Sequence, residues 1–226
     1  MELVSPQFWI SAVEIVVINI LLSGDNAVVI ALACRNLPRK QRRWGIMWGA
    51  AGAVVLRIIL TFFAVRLLTF PYLNLVGGVL LLWIGVKLIA EEDADPREVK
   101  AADRLMVAVR TIIIADLVMS LDNVIGVAGA AKGSVVLIVF GLVVSIPLVV
   151  VGAQLIMKLI ERFPILIAAG GGLLGYVAGE MIVTDTAVAP WINSRAAWLH
   201  WALPLGGIVV VIAVAKWMQR RSNDAH

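Results

Sequence analysis

Asn19-Ile-Leu-Leu-Ser23-Gly-Asp25-Asn26 and Asp116-Leu-Val-Met-Ser120-Leu-Asp122-Asn123 are one pattern written twice, 97 residues apart. Polar groups coincide at four positions: Asn19 with Asp116, Ser23 with Ser120, Asp25 with Asp122 and Asn26 with Asn123. Both copies lie inside apolar runs. Working outward, seven stretches reach the roughly 20 residues that a helical crossing of a bilayer requires. They lie near Phe8 to Ala33, Trp44 to Val65, Leu73 to Ala90, Met106 to Ala131, Val135 to Met157, Ile165 to Val183 and Trp198 to Met218. Three spans separate the starts of the two copies, and an odd number reverses the direction of the second. The expected fold is therefore an all-α membrane protein, one integral membrane domain over 1–226 with seven transmembrane helices. Its first half (about 8–90) and second half (about 106–183) form a 3+3 inverted repeat, and a C-terminal helix (about 198–218) is appended. Repeats of this kind bring their shared polar positions to the midplane, between the halves.

Composition agrees. Apolar residues make up 62% of the 226, charged residues only 15%, and the mean hydropathy is +0.98, which excludes a soluble globule with an ordinary polar coat. Asn36-Leu37-Pro38, Phe70-Pro71, Asp95-Pro96, Lys132-Gly133, Phe163-Pro164 and Ala189-Pro190 punctuate the apolar runs. No basic segment or small-residue cleavage site accompanies the first run, so a retained helix is expected there and not a signal peptide.

If the loop after the first helix is cytoplasmic, 14 of the 19 lysines and arginines fall inside, from Arg35 to Arg43, Arg97 to Arg110, Lys158, Arg162 and Lys216 to Arg221. That bias predicts an N-outside, C-inside orientation. The net charge of +4 is then a loop property, and no basic stripe with interleaved aromatics suggests a nucleic-acid partner. The lipid bilayer is the expected partner, and assembly with further copies of the chain is left open. The acidic stretch from Glu91 to Asp103 reads as a solvated linker.

A carboxylate at the centre of a membrane helix costs roughly 2.5 to 3.5 kcal/mol on the insertion scale. Glu14, Asp25, Asp116 and Asp122 therefore need compensation. Arg57 and Lys87 are the cations inside spans, and Lys87 is near enough to an end to snorkel. Arg57 cannot neutralise four carboxylates. Protonation or a bound cation must supply the rest, and a transporter uses both states in turn, with two protons replacing a released divalent ion. Carboxylate, amide, hydroxyl and carbonyl are hard oxygen donors suited to Mn2+, Mg2+ or Ca2+. The single Cys34, the separated His200 and His226 and the scattered methionines offer no soft site.

On an ideal helix Asn19, Ser23 and Asn26 share a face, as do Asp116, Ser120 and Asn123, while Asp25 and Asp122 point about 120° away. If all of them reach one ion, the helices unwind or bulge at Ser23-Gly24-Asp25 and Ser120-Leu121-Asp122; the alternative is two separate faces, one lining the path and one packing between helices. Glu180, with Asp185 near its helix end, is expected as an accessory or exit site. The Gly170-Gly171-Gly172, Gly175 and Gly179 stripe reads as close helix packing, and the tryptophans near span ends as interfacial anchors.

Two buried aspartates also evoke an intramembrane aspartyl protease, but neither Leu22-Ser-Gly-Asp25 nor Met119-Ser-Leu-Asp122 has the Gly-x-Gly-Asp pattern. No enzyme activity, catalytic residue or resident cofactor is expected. An exporter of amino acids or another small solute, and a membrane accessory protein for metal loading of exported enzymes, are the alternatives kept.

Leu22-Ser-Gly-Asp-Asn-Ala-Val-Val-Ile-Ala31 and Ser120-Leu-Asp-Asn-Val-Ile-Gly-Val-Ala-Gly129, with Gly77-Gly78 and Gly175-Tyr-Val-Ala-Gly-Glu180, resemble the TerC family of integral membrane proteins. The resemblance runs over nearly the whole chain. It implies a multi-pass protein of the bacterial cytoplasmic (inner) membrane that exports Mn2+, guarding the cytoplasm or supplying enzymes that mature outside. The Asp-Asn motifs carry the ion-site assignment to Asp25, Asn26, Asp122 and Asn123. A looser match extends it to Glu14, Asn19, Asp116 and Glu180, and Ser23 and Ser120 complete the set. Because Asn19 stands where the second copy has Asp116, the two halves differ in carboxylate count.

Overall fold

Every regular element among the described residues is an α-helix, as lipid demands of a chain whose backbone groups must find partners within their own segment. The computed structural model describes residues 6–21, 24–67, 70–90, 101–131 and 134–223. The helices are α1 (Pro6–Leu21), α2 (Gly24–Cys34), α3 (Arg39–Leu67), α4 (Leu73–Ala90), α5 (Ala101–Ala131), α6 (Val135–Arg162), α7 (Ile165–Thr184), α8 (Ala189–Arg195) and α9 (Leu199–Asn223). Five stretches among them are long and apolar enough to cross a membrane: Arg39–Phe63, Leu73–Ala90, Val135–Arg162, Ile165–Thr184 and Leu199–Arg221. The predicted first and fourth spans fall on α1, α2 and α5.

Differences from the sequence reading have local causes. Helix α3 starts at Arg39, ahead of the expected Trp44, because arginine and lysine are good helix formers and extend a helix beyond its apolar part. Ala189-Pro190 does not simply separate two spans. Proline in the first turn starts the short α8, where its missing N–H costs nothing. Pro147 and Pro204 lie inside α6 and α9.

The chain divides into two compact units, Met1–Leu67 with Leu105–Met157, and Leu68–Arg104 with Lys158–His226. Each draws helices from both predicted halves. In the first unit Ala12 and Ile15 of α1, Val54 of α3, and Leu137, Ile138 and Leu142 of α6 form a buried core. Its glycines receive side chains: a Cβ added at Gly52 of α3 would stand 2.7 Å from Ile113 Cδ1 of α5.

In the second unit α4, α7 and α9 pack on one another. Gly171, Gly175 and Gly179 recur at every fourth residue of α7; Gly171 receives the Ile89 side chain of α4, and at Gly175 and Gly179 the predicted small-residue packing is realised backbone to backbone. A Cβ at Gly207 of α9 would collide with the Gly175 carbonyl, one at Gly179 with the Leu203 backbone, and one at Gly78 of α4 with the Ala178 carbonyl. In lipid, where no hydrophobic effect drives helices together, such close approach supplies the dispersion contacts that do.

The lower-numbered end of α4 is tied down by a side chain. Tyr72 has a positive φ of 65°, uncommon for an aromatic residue, and its N–H donates to Asp185 Oδ1 at 3.2 Å. Leu75 N–H donates to Asp185 Oδ2 at 3.1 Å, and Ala187 N–H donates to Oδ1 at 2.9 Å. The Asp185 carboxylate, 1% exposed, is thus a cap that joins α4 to the chain after α7. This replaces the expected exit-site role, since the oxygens that would meet an ion are taken by backbone donors.

Candidate functional site

Arg57 is the basic residue inside the apolar part of α3, and α5 brings Asp116 and Ser120 to it. Asp116 and Ser120 are one turn apart and share a helix face. Gly49 and Gly52, on α3 ahead of Arg57, accept Ile112 and Ile113 of α5, which lets the two helices approach closely enough for the polar groups to meet. Arg57 Nη2 donates to Asp116 Oδ1 at 2.5 Å. Arg57 Nε donates to Ser120 Oγ at 3.0 Å, and that hydroxyl donates to Asp116 Oδ2 at 3.1 Å. The three bonds close a ring among side chains that are 3%, 4% and 0% exposed.

Removing two charges from solvent costs several kcal/mol each, and only well-formed, charge-assisted bonds recover it. The ring supplies them. It also engages both oxygens of Asp116. Arg57's own carbonyl accepts from Thr61 Oγ1 at 2.7 Å, the usual helix-internal bond of a buried threonine.

Asp25 adds a second carboxylate to this surrounding. It lies half-buried in the first turn of α2, accepts the Asn26 N–H at 2.8 Å, and is close enough to sense the charges of both Arg57 and Asp116. Asn26 is buried beside it. Asp25, Asp116 and Arg57 together carry one negative charge when both carboxylates are ionised.

The remaining expected ligands are placed differently. Glu14 is exposed on α1, beside the exposed Val13 and Val17. Glu180 is exposed on α7 in the other unit, one turn after Tyr176. The side chains of Asn19, Asp122 and Asn123, and Ser23 as a whole, lie outside the described residues. Among the described residues no group of three or more His, Cys, Asp or Glu side chains stands together as a metal cage.

The expected unwinding at Ser120-Leu121-Asp122 is absent: α5 runs unbroken from Ala101 to Ala131. Leucine favours the helix, and no glycine weakens it there. The corresponding expectation at Ser23 falls on residues outside the described ones. Lys87 sits in the last turn of α4, with Nζ 5.5 Å from the centre of the Trp83 ring.

Sequence reasoning named Arg57 as a compensating cation but missed the closed ring with Ser120. The available signal was the spacing of Asp116 and Ser120, which puts an acceptor and a hydroxyl on one face.

The profile of the integral membrane protein TerC family matches residues 4–223. The chain is 45% identical to the uncharacterized membrane protein YjbE of Bacillus subtilis (strain 168), over 94% of this chain and 97% of that one. It is 28% identical to the uncharacterized membrane protein YceF of the same organism, over 79% and 73% of the two chains. It is 25% identical to the UPF0053 inner membrane protein YgdQ of Escherichia coli (strain K12), over 70% and 74%. No solved structure matches.

Proposed function

This chain belongs to the TerC family of integral membrane proteins, and from that premise we propose that it transports a divalent metal cation, Mn2+ above others, out of the bacterial cytoplasm. The observation that carries the reading is the excess of carboxylate over guanidinium among the described residues around Arg57. Asp116 is paired with Arg57, and the half-buried Asp25 adds a second carboxylate within range of their charges. A charge imbalance in such a place is costly, and a cation that arrives and leaves relieves it in turn.

The proposed site takes Asp25 and Asn26 from the first half and Asp116, Ser120, Asp122 and Asn123 from the second, with Asn19 and Ser23 contributing from the first copy of the motif. All offer hard oxygen donors, which favour Mn2+, Mg2+ and Ca2+ over softer ions. Glu14 and Glu180 serve on this reading as approach or exit residues. Seven spans in a 3+3 inverted repeat plus a last helix, with the N-terminus outside, give each half its own side of the bacterial inner membrane to gate. Protons returning on the same carboxylates complete the cycle.

The test is the manganese content of cells that carry the wild-type chain, Asp25→Asn or Asp122→Asn at equal protein levels. Export predicts that both variants retain Mn2+ under manganese load as strongly as cells lacking the protein. Metal content unaffected by the protein would instead point to a small-solute exporter. Full function of Asp25→Asn would point to an accessory protein that uses no ion site. Uptake into inverted vesicles with and without an imposed pH gradient tests the proton step, and indifference to the gradient rejects it.

A further inference from the structure

We propose that Arg57 is the pocket's resident counter-cation, seated on Asp116 while no metal is bound and displaced from it when a divalent cation enters. The inference rests on the transport reading above and specifies how the same site is filled and emptied. Asp116 accepts from Arg57 Nη2 on one oxygen and from Ser120 Oγ on the other. An ion that approaches this carboxylate competes with both donors for its lone pairs.

Electrostatics gives the direction. A divalent ion that reached Asp116 with Arg57 still seated would put two cations on one carboxylate, a few ångström apart where little solvent screens them. The ion and Arg57 therefore compete for the same oxygens. Ser120 serves both states, since its hydroxyl accepts from Arg57 Nε and donates to Asp116 Oδ2.

The competition suits a carrier. A divalent ion held by two carboxylates in an apolar unit without a rival would be bound tightly and released slowly, whereas transport needs binding strong enough to load and weak enough to unload. A tethered guanidinium reclaims its carboxylate as the ion departs. It also keeps the empty site from carrying two uncompensated charges. Arg57 is thus a positioning residue whose charge sets the ion's affinity.

The experiment is calorimetric titration of MnCl2 into the purified full-length chain in lipid nanodiscs, for wild type, Arg57→Gln and Arg57→Lys, paired with efflux kinetics of the same variants reconstituted in sealed liposomes. Removing the rival charge should tighten Mn2+ binding in Arg57→Gln on the order of tenfold, about 1.4 kcal/mol, while slowing turnover. Lysine keeps the charge but cannot fork across Asp116 and Ser120, so Arg57→Lys should fall between the two. A purely structural role for Arg57 would not tighten binding in either. Mn2+ affinity in Arg57→Gln equal to or weaker than wild type overturns the proposal. If that variant does not accumulate, Arg57→Lys decides by the same criterion. Wild-type protein that binds no Mn2+ sinks the transport reading along with this one, whereas wild-type binding with no gain in the variants sinks this one alone.

Discussion

The two units of this chain solve the packing problem of lipid in opposite ways. In one, α4, α7 and α9 meet through glycines so closely that the backbones themselves are in contact, and the buried Asp185 carboxylate is spent on capping. In the other, Gly49 and Gly52 of α3 receive isoleucine side chains, and a charged ring of Arg57, Asp116 and Ser120 is sealed among apolar residues. Backbone contact has no slack, because no rotamer change relieves it. Side-chain contact has some. The buried ion pair of Arg57 and Asp116 sits in the unit whose contacts can adjust, and the unit with the fixed contacts holds none among its described residues.

The largest effect expected from breaking this contrast comes from one methyl group. Gly207→Ala would drive a Cβ into the Gly175 carbonyl, and relief requires moving a whole helix. Overpacking typically costs about 1–3 kcal/mol, and this contact belongs at the upper end or beyond. The variant should accumulate poorly or melt well below wild type in detergent. Gly52→Ala is the matched control in the other unit, where the nearest atom is the flexible end of Ile113, 2.7 Å from the added Cβ. It should cost about 1 kcal/mol or less, by rotamer adjustment. Equal losses from the two would erase the distinction between the units.

A middle-sized effect is expected at Asp185. Asp185→Ala leaves the N–H groups of Tyr72, Leu75 and Ala187 without their carboxylate. A fully buried orphaned donor costs about 1–3 kcal/mol, and because these three are part-buried, water replaces part of each lost bond and holds the loss to about that size in all. The melting temperature should fall, while the Mn2+ efflux of the protein that remains folded is unchanged. Asp25→Asn should do the reverse, abolishing efflux with a near-normal melt. A variant of Asp185 that folds normally and loses efflux would return this residue to the ion path.

These contrasts separate what a linear reading can find from what it cannot. Long apolar runs and their proline breaks located most of the helices, because exclusion of charge from lipid is a property of each segment alone. The seven-residue α8 has no such signature, being too short for a hydrophobic run. The Asp185 cap was illegible for a different reason: Tyr72 and Leu75 lie more than a hundred residues before the side chain they bond. At the candidate site, a lone arginine against several carboxylates signalled that a pair must form. Its use of Asp116 and Ser120 depends on how α3 crosses α5, which no local pattern records. The same limit explains α5: bringing every polar residue of its motif to one ion seemed to require a break, yet nothing in Ser120-Leu121-Asp122 opposes a helix, and the helix continues.

The smallest expected effect tests where slack resides in the first unit. Gly24 opens α2 next to Asp25, and a Cβ there meets nothing within 4 Å. Alanine is favoured over glycine in helices by up to about 1 kcal/mol, so Gly24→Ala should melt at or slightly above the wild-type temperature. If flexibility comes only from side-chain contacts such as Gly52 with Ile113, efflux should also stay within about twofold of wild type, well under 1 kcal/mol of barrier. A steep loss of efflux with an undiminished melt would mean that transport passes through a backbone conformation open to glycine and closed to alanine. The adjustable element would then be the main chain beside Asp25, and the contrast between the units would be one of backbones on both sides.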